Sequence, residues 1–125
     1  GGDGGEALRA MLARLAASAL MPVLQLSLSV QATESRWRMI QLLTRLLAAL
    51  DDAGGEQLHV HLAALQQWLR TAWAACQGEQ LLMEATVDAA ATMLHACRPA
   101  PLPLLQAALQ LVDAATQPDP ASGGL

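Results

Sequence analysis

Leu81-Leu82-Met83-Glu84-Ala85-Thr86-Val87-Asp88-Ala89-Ala90-Ala91-Thr92-Met93-Leu94 is the run that decides the fold. At helical spacing, Leu82, Ala85, Ala89, Met93 and Ala96 fall on one face, and Met83, Val87, Ala90 and Leu94 make a second. Only Glu84, Asp88 and His95 remain for a polar stripe. A helix that is apolar on two faces is packed between neighbours. The pattern predicts this helix over Glu79 to Cys97, between the breaks Gln77-Gly78 and Arg98-Pro99-Ala100-Pro101.

The same reading extends outward to six helices. The first is predicted from Glu6 to Leu20, with Leu8, Leu12, Leu15 and Ala19 on its buried face. Pro22 ends it and opens a second over Pro22 to Gln31, because proline suits a first turn but not a helix interior. Alternation of Leu24, Leu26, Leu28 and Val30 also fits a strand, but no partner strand is readable elsewhere. Thr33 or Ser35 caps the third helix, whose face is Trp37, Ile40, Leu43, Leu47 and Leu50. After the break Asp51-Asp52-Ala53-Gly54-Gly55, a fourth helix is expected from Glu56 to Cys76, on Leu58, Leu62, Leu65, Leu69, Ala72 and Cys76. The sixth runs from Pro101 to Thr116, burying Leu105, Ala108, Leu109 and Val112. Residues 1–5 read as a flexible glycine-rich lead, 6–117 as the helical domain and 118–125 as a flexible Pro/Gly tail.

Composition agrees with an all-α fold. The 125 residues are 54% hydrophobic and 14% charged, which is incompatible with intrinsic disorder. Leu and Ala dominate, and both favour helix. There is no Lys, Asn, Phe or Tyr, and Ile40 is the single isoleucine, so strand-forming types are scarce. The length fits one domain or a slice of a longer repeat array, and the missing initiator Met favours a slice. Net charge is −4 and the seven basic residues are scattered arginines, so no nucleic-acid footprint is present. The uncharged run Leu15 to Thr33 has the length of a membrane span. Pro22, Gln25, Gln31 and its serines make it read instead as two soluble helices, with no membrane partner and no signal peptide.

Two helices of similar pattern open with proline, at Pro22-Val23-Leu24-Gln25-Leu26 and Pro101-Leu102-Pro103-Leu104-Leu105-Gln106. They are two periods of about 40 apart, within the range of HEAT and armadillo repeats. The expectation is about three antiparallel helix pairs stacked as a HEAT-like α-solenoid; the alternative is a closed six-helix bundle. Each pair has too much apolar surface to bury alone.

The run from Leu81 to Leu94 resembles the first helix of a HEAT repeat, and Pro101-Leu102-Pro103-Leu104-Leu105-Gln106 the start of its second. Together with Trp68 and the short polar link Gln77 to Glu79, the stretch from Leu20 to Gln117 is similar to the importin-β superfamily, in its transportin-SR and importin-13-like branch. The resemblance implies a nucleocytoplasmic transport receptor (karyopherin) that binds cargo and the GTPase Ran, in cytoplasm and nucleus.

No catalytic, cofactor or metal constellation is legible. His59 and His61 are two apart and point to different sides of a helix, unlike an i, i+4 metal pair. Cys76 and Cys97 sit in apolar helical stretches and read as buried thiols of a reducing, intracellular compartment. Asp51 and Asp52 read as a solvated turn. Glu84 and Asp88 share a helix face, but no third polar group completes a site in the sequence. His95 reads as part of the polar stripe with Asp88. The reading is therefore a non-enzymatic protein–protein interaction scaffold; the alternative is a small helical bundle acting as an adaptor or dimerisation domain. Candidate partner-binding residues are Trp68, off the main stripe of its helix, and the ridge Gln106, Gln110 and Asp113. A second helix of a HEAT pair lines the concave surface, which would make that ridge an inner face.

Overall fold

A computed structural model describes residues 2–116 and is all-helical. Five α-helices are present among them: α1 (Gly2–Ser29), α2 (Thr33–Asp52), α3 (Leu62–Ala75), α4 (Gln80–Ala96) and α5 (Leu102–Thr116). A 3₁₀ segment, Glu56–His61, leads into α3. The tail at 118–125 lies outside the described residues.

The two helices expected on either side of Pro22 are one helix, α1, which starts at Gly2 within the glycine-rich lead. Pro22 is exposed, as is Ser18, whose carbonyl loses its usual donor four residues on. On an exposed face water can take the place of the lost donor, which lowers the cost of a proline inside a helix. Continuity has a second consequence. The C-terminal half buries Leu20, Val23, Leu24 and Ser27. An unbroken helix carries that face back to Ala13 and Ala16, which are also buried. The expected core residues Leu8, Leu12 and Leu15 are turned to the outside instead, 52%, 52% and 61% exposed.

Elsewhere the predicted faces hold with shifts. In α2, Ile40, Leu43, Leu47 and Leu50 are buried and Trp37 half-buried. Neither Thr33 nor Ser35 caps this helix: Ala32 holds the N-cap position, and the Thr33 hydroxyl donates instead to Glu79 Oε1 at 2.7 Å. The fourth predicted helix begins as the 3₁₀ segment and becomes α-helical at Leu62, with Leu58, Leu65, Trp68, Leu69, Ala72 and Cys76 buried. In α4, Leu82, Ala85, Thr86, Ala89, Ala90, Met93 and Ala96 are buried. In α5 the buried face is Leu104, Ala107, Ala108 and Leu111; Leu105 is half-buried and Leu109 exposed, one position away from the expected stripe.

The helices form two layers. α1, α3 and α5 make one; α2 and α4 make the other. α1 packs chiefly on α2, α2 on α4, and α3 touches α1, α4 and α5. α2 and α4 run parallel, because their starts are joined by Thr33 and Glu79 and their ends by Asp51 with His95 and Arg98. This packing is compatible with a helical repeat or a bundle. Merging two predicted helices into α1 leaves α5 beside α3, in the second-helix layer where the predicted pairing also puts it.

The end contacts are specific. Asp51, expected in a solvated turn, is only 18% exposed in its side chain. Its Oδ1 accepts from Arg98 Nη1 at 2.8 Å, and its Oδ2 lies 3.3 Å from His95 Nε2. His95 therefore faces the end of α2 rather than Asp88. Beside this cluster, Gly55 (φ +74°) donates to the Leu50 carbonyl at 2.8 Å and lies against the Ala96 carbonyl.

Candidate functional site

The structure does not bring the sequence-predicted site residues together. Trp68, expected to be partly exposed, is 2% exposed in the core. Its Nε1 donates to Ser27 Oγ at 2.7 Å, and that hydroxyl donates to the Leu24 carbonyl at 2.8 Å. Both buried polar groups are satisfied, so Trp68 fastens α3 to α1 and offers nothing to a partner. Gln106, Gln110 and Asp113 are exposed on α5 at helical spacing. They form an exposed ridge on the α1/α3/α5 layer, the layer of the predicted second helices.

The concave feature with the richest chemistry lies between α2 and α4. It is a groove of about 360 Å³, lined by Trp37, Gln41, Thr44 and Arg45 from α2 and by Leu81, Glu84, Ala85 and Asp88 from α4. Glu84 and Asp88 are exposed at i, i+4 on α4. Glu84 Oε1 accepts from Gln80 Nε2 at 2.9 Å, a neutral partner. Among the described residues no cation pairs with Glu84 or Asp88, and Arg45 pairs with no carboxylate. Trp37 is half-buried: its ring is held by the core yet reaches the groove. The groups missing from the sequence reading of Glu84 and Asp88 are supplied by α2, about 45 residues away. Two features signalled this site in the sequence: the narrow polar stripe of α4 and the tryptophan at the start of the α2 face.

A second surface is apolar. Leu8, Met11, Leu12 and Leu15 form an exposed seam on α1 at 52%, 52%, 52% and 61%. The 4–3 spacing of Leu8, Leu12 and Leu15 is that of a coiled-coil stripe. A groove of about 310 Å³, lined by Arg9, Leu12, Ala49, Asp52 and Ala53, runs along it between α1 and the end of α2. Leu42 of α2 adds further exposed apolar area. By length and composition Gly4–Ser29 is apolar enough to cross a membrane. About a third of its 18-residue apolar window is buried within the fold, on the face that meets α2 and α3.

The thiols are separate and enclosed. Burial pushes the Cys76 thiol up from its ordinary value, against a smaller opposing effect of the Thr86 hydroxyl. Burial alone pushes Cys97 up. Both stay protonated in the folded chain at neutral pH and are poor nucleophiles. Alkylation by iodoacetamide at pH 7.5 is expected to proceed at least tenfold more slowly in the native protein than in urea. The linkage sign is fixed by the raised pKa: the folded state holds these protons more tightly than the unfolded chain. Their contribution to stability is therefore fully present below the unfolded thiol pKa, about 8.5, and is lost as pH rises above it. Urea midpoints measured from pH 7 to 10 check this, with the decline expected above pH 8.5 and absent in the Cys76→Ala/Cys97→Ala protein. Among the described residues no three His, Cys, Asp or Glu side chains gather as metal ligands would.

No protein-family model, curated protein or solved structure matches this chain.

Proposed function

We propose that this chain is a non-enzymatic protein–protein interaction scaffold, a stacked helical-repeat segment of the HEAT kind. The observation that carries the reading is the uncovered seam Leu8, Met11, Leu12 and Leu15 beside the α1/α2 groove. A closed domain has no physical reason to place four large apolar side chains in one helical stripe facing water. A repeat does, because the next helix covers it. The parallel α2/α4 stack supports the same reading. Its end contacts join residues 46 and 47 apart, and HEAT-type repeats have periods of about 40–47 residues.

Half-exposed side chains of this size gain about 1 kcal/mol each on burial. Eight of them, from two copies, gain about 8 kcal/mol, against an association cost of at least about 4 kcal/mol. The isolated chain is therefore expected to self-associate weakly, with a Kd on the order of 1 mM. Sedimentation velocity from 5 to 500 µM checks this. A Leu8→Glu/Leu12→Glu/Leu15→Glu protein should stay monomeric while keeping its helicity. A wild-type chain that is monomeric throughout, with a single sharp melt, would instead make it a closed adaptor domain.

The finer reading is a segment of a karyopherin of the importin-β type, with Ran and cargo as partners and cytoplasm and nucleus as its location. It is supported by the sequence resemblance alone. Binding of GTP-loaded Ran by the whole parent protein tests it, and absence of binding removes it.

A further inference from the structure

We propose that the groove between α2 and α4 binds a segment of a partner protein through an arginine or lysine side chain, seated on Trp37 and against Glu84 and Asp88. This rests on the scaffold reading only in taking the α2/α4 face as a partner surface.

Register fixes which groups of the two helices share a level. α2 and α4 are parallel, and the Thr33–Glu79 hydrogen bond sets their offset at 46 residues. Trp37 is therefore level with Met83, next to Glu84, and Asp88 is level with Leu42, one turn further along. Arg45 is level with Ala91, about 4–5 Å beyond Asp88 at the helical rise. The groove thus has an aromatic and anionic half, and its one cation lies at the far end.

The two carboxylates are the only charges on the α4 wall, and among the described residues neither has an ion-pair partner. Folding has placed an aromatic ring within the same groove. Cations are attracted to the face of an indole and to carboxylates together, and a partly enclosed groove strengthens both effects over open surface. An acidic segment meets repulsion from Glu84 and Asp88. A purely apolar one leaves both carboxylates desolvated without a partner. The remaining lining groups, Gln41 and Thr44, supply hydrogen-bonding capacity of the kind an extended backbone uses. Charge complementarity therefore selects a basic peptide segment.

The test uses a fluorescein-labelled nonapeptide of alternating Arg and Ser, with its Glu/Ser and Gln/Ser counterparts, read by fluorescence anisotropy at low salt. The arginine peptide is expected to bind at least tenfold more tightly than the glutamine peptide, and the glutamate peptide not at all. Glu84→Gln/Asp88→Asn is expected to weaken arginine-peptide binding about tenfold and Trp37→Leu several-fold. Glu6→Gln/Glu56→Gln removes the same charge from exposed positions away from the groove and should leave binding unchanged. Equal weakening by the two double variants would mean attraction to overall charge and would overturn the proposal, as would no binding by the wild type. Circular dichroism checks that each variant is folded. The scaffold reading is tested by association through α1, so a groove without affinity in a chain that still self-associates through its seam discards this inference alone.

Discussion

Trp68→Ala is expected to destabilise the protein by about 4 kcal/mol, the largest single-residue effect in the molecule. The indole is the largest fully buried side chain, and it lies where α3 meets α1. Alanine leaves a cavity and removes the donor to Ser27 Oγ. Trp68→Phe separates the two losses. It retains most of the ring and gives up only the Nε1–Oγ hydrogen bond, at a cost of about 1–2 kcal/mol. Ser27 keeps its bond to the Leu24 carbonyl, so the hydroxyl is not orphaned. Urea denaturation followed at 222 nm measures both variants. A loss below about 1 kcal/mol for Trp68→Ala would contradict its place in the core.

Gly55→Ala follows, with an expected loss of about 3 kcal/mol from two additive causes. The backbone is left-handed at φ +74°, and an added Cβ falls inside contact distance of the Ala96 carbonyl oxygen. Backbone cannot swing aside as a flexible side chain does, so the α2–α3 loop must lift away from the end of α4. The Asp51–Arg98 contact beside it would then loosen. Gly78→Ala is the control: φ is +86°, but nothing lies near the new methyl. It should cost only about 1 kcal/mol, the conformational part alone. Equal losses at the two positions would mean that the close approach at Ala96 contributes nothing.

The helical class was legible because periodicity is a local property. α2 and α4 show this best: Ile40, Leu43, Leu47 and Leu50, and Leu82, Ala85, Ala89 and Met93, are the core residues their spacing predicts. What failed was non-local. Proline propensity argued for a break at Pro22, but Pro22 and Ser18 are both exposed, where water can replace the lost donor. Reading a break there put the expected core of α1 on Leu8, Leu12 and Leu15. Size misled as well. Leucines were assigned to the core of α1 over alanines, yet the small Ala13 and Ala16 occupy the face that continues from Leu20 and Val23. The α2/α4 groove was half visible, in Glu84 and Asp88. Its other wall comes from Trp37 to Arg45, and nothing in the spacing of either segment states that the two helices stack in parallel. Trp68 illustrates the same limit: a tryptophan off the apolar stripe reads as exposed until Ser27, 41 residues away, is seen to accept its N–H.

The central claim is that the seam on α1 is a surface meant to be covered by another helix. The most direct measurement is a methyl-labelled NMR spectrum of Leu and Met side chains recorded from 10 to 500 µM. The account predicts that the methyl signals of Leu8, Met11, Leu12 and Leu15 shift or broaden with concentration. Those of Leu43, Leu47, Leu82 and Met93, enclosed in the core, should stay fixed. Concentration-independent seam signals, or equal changes in seam and core, would contradict it.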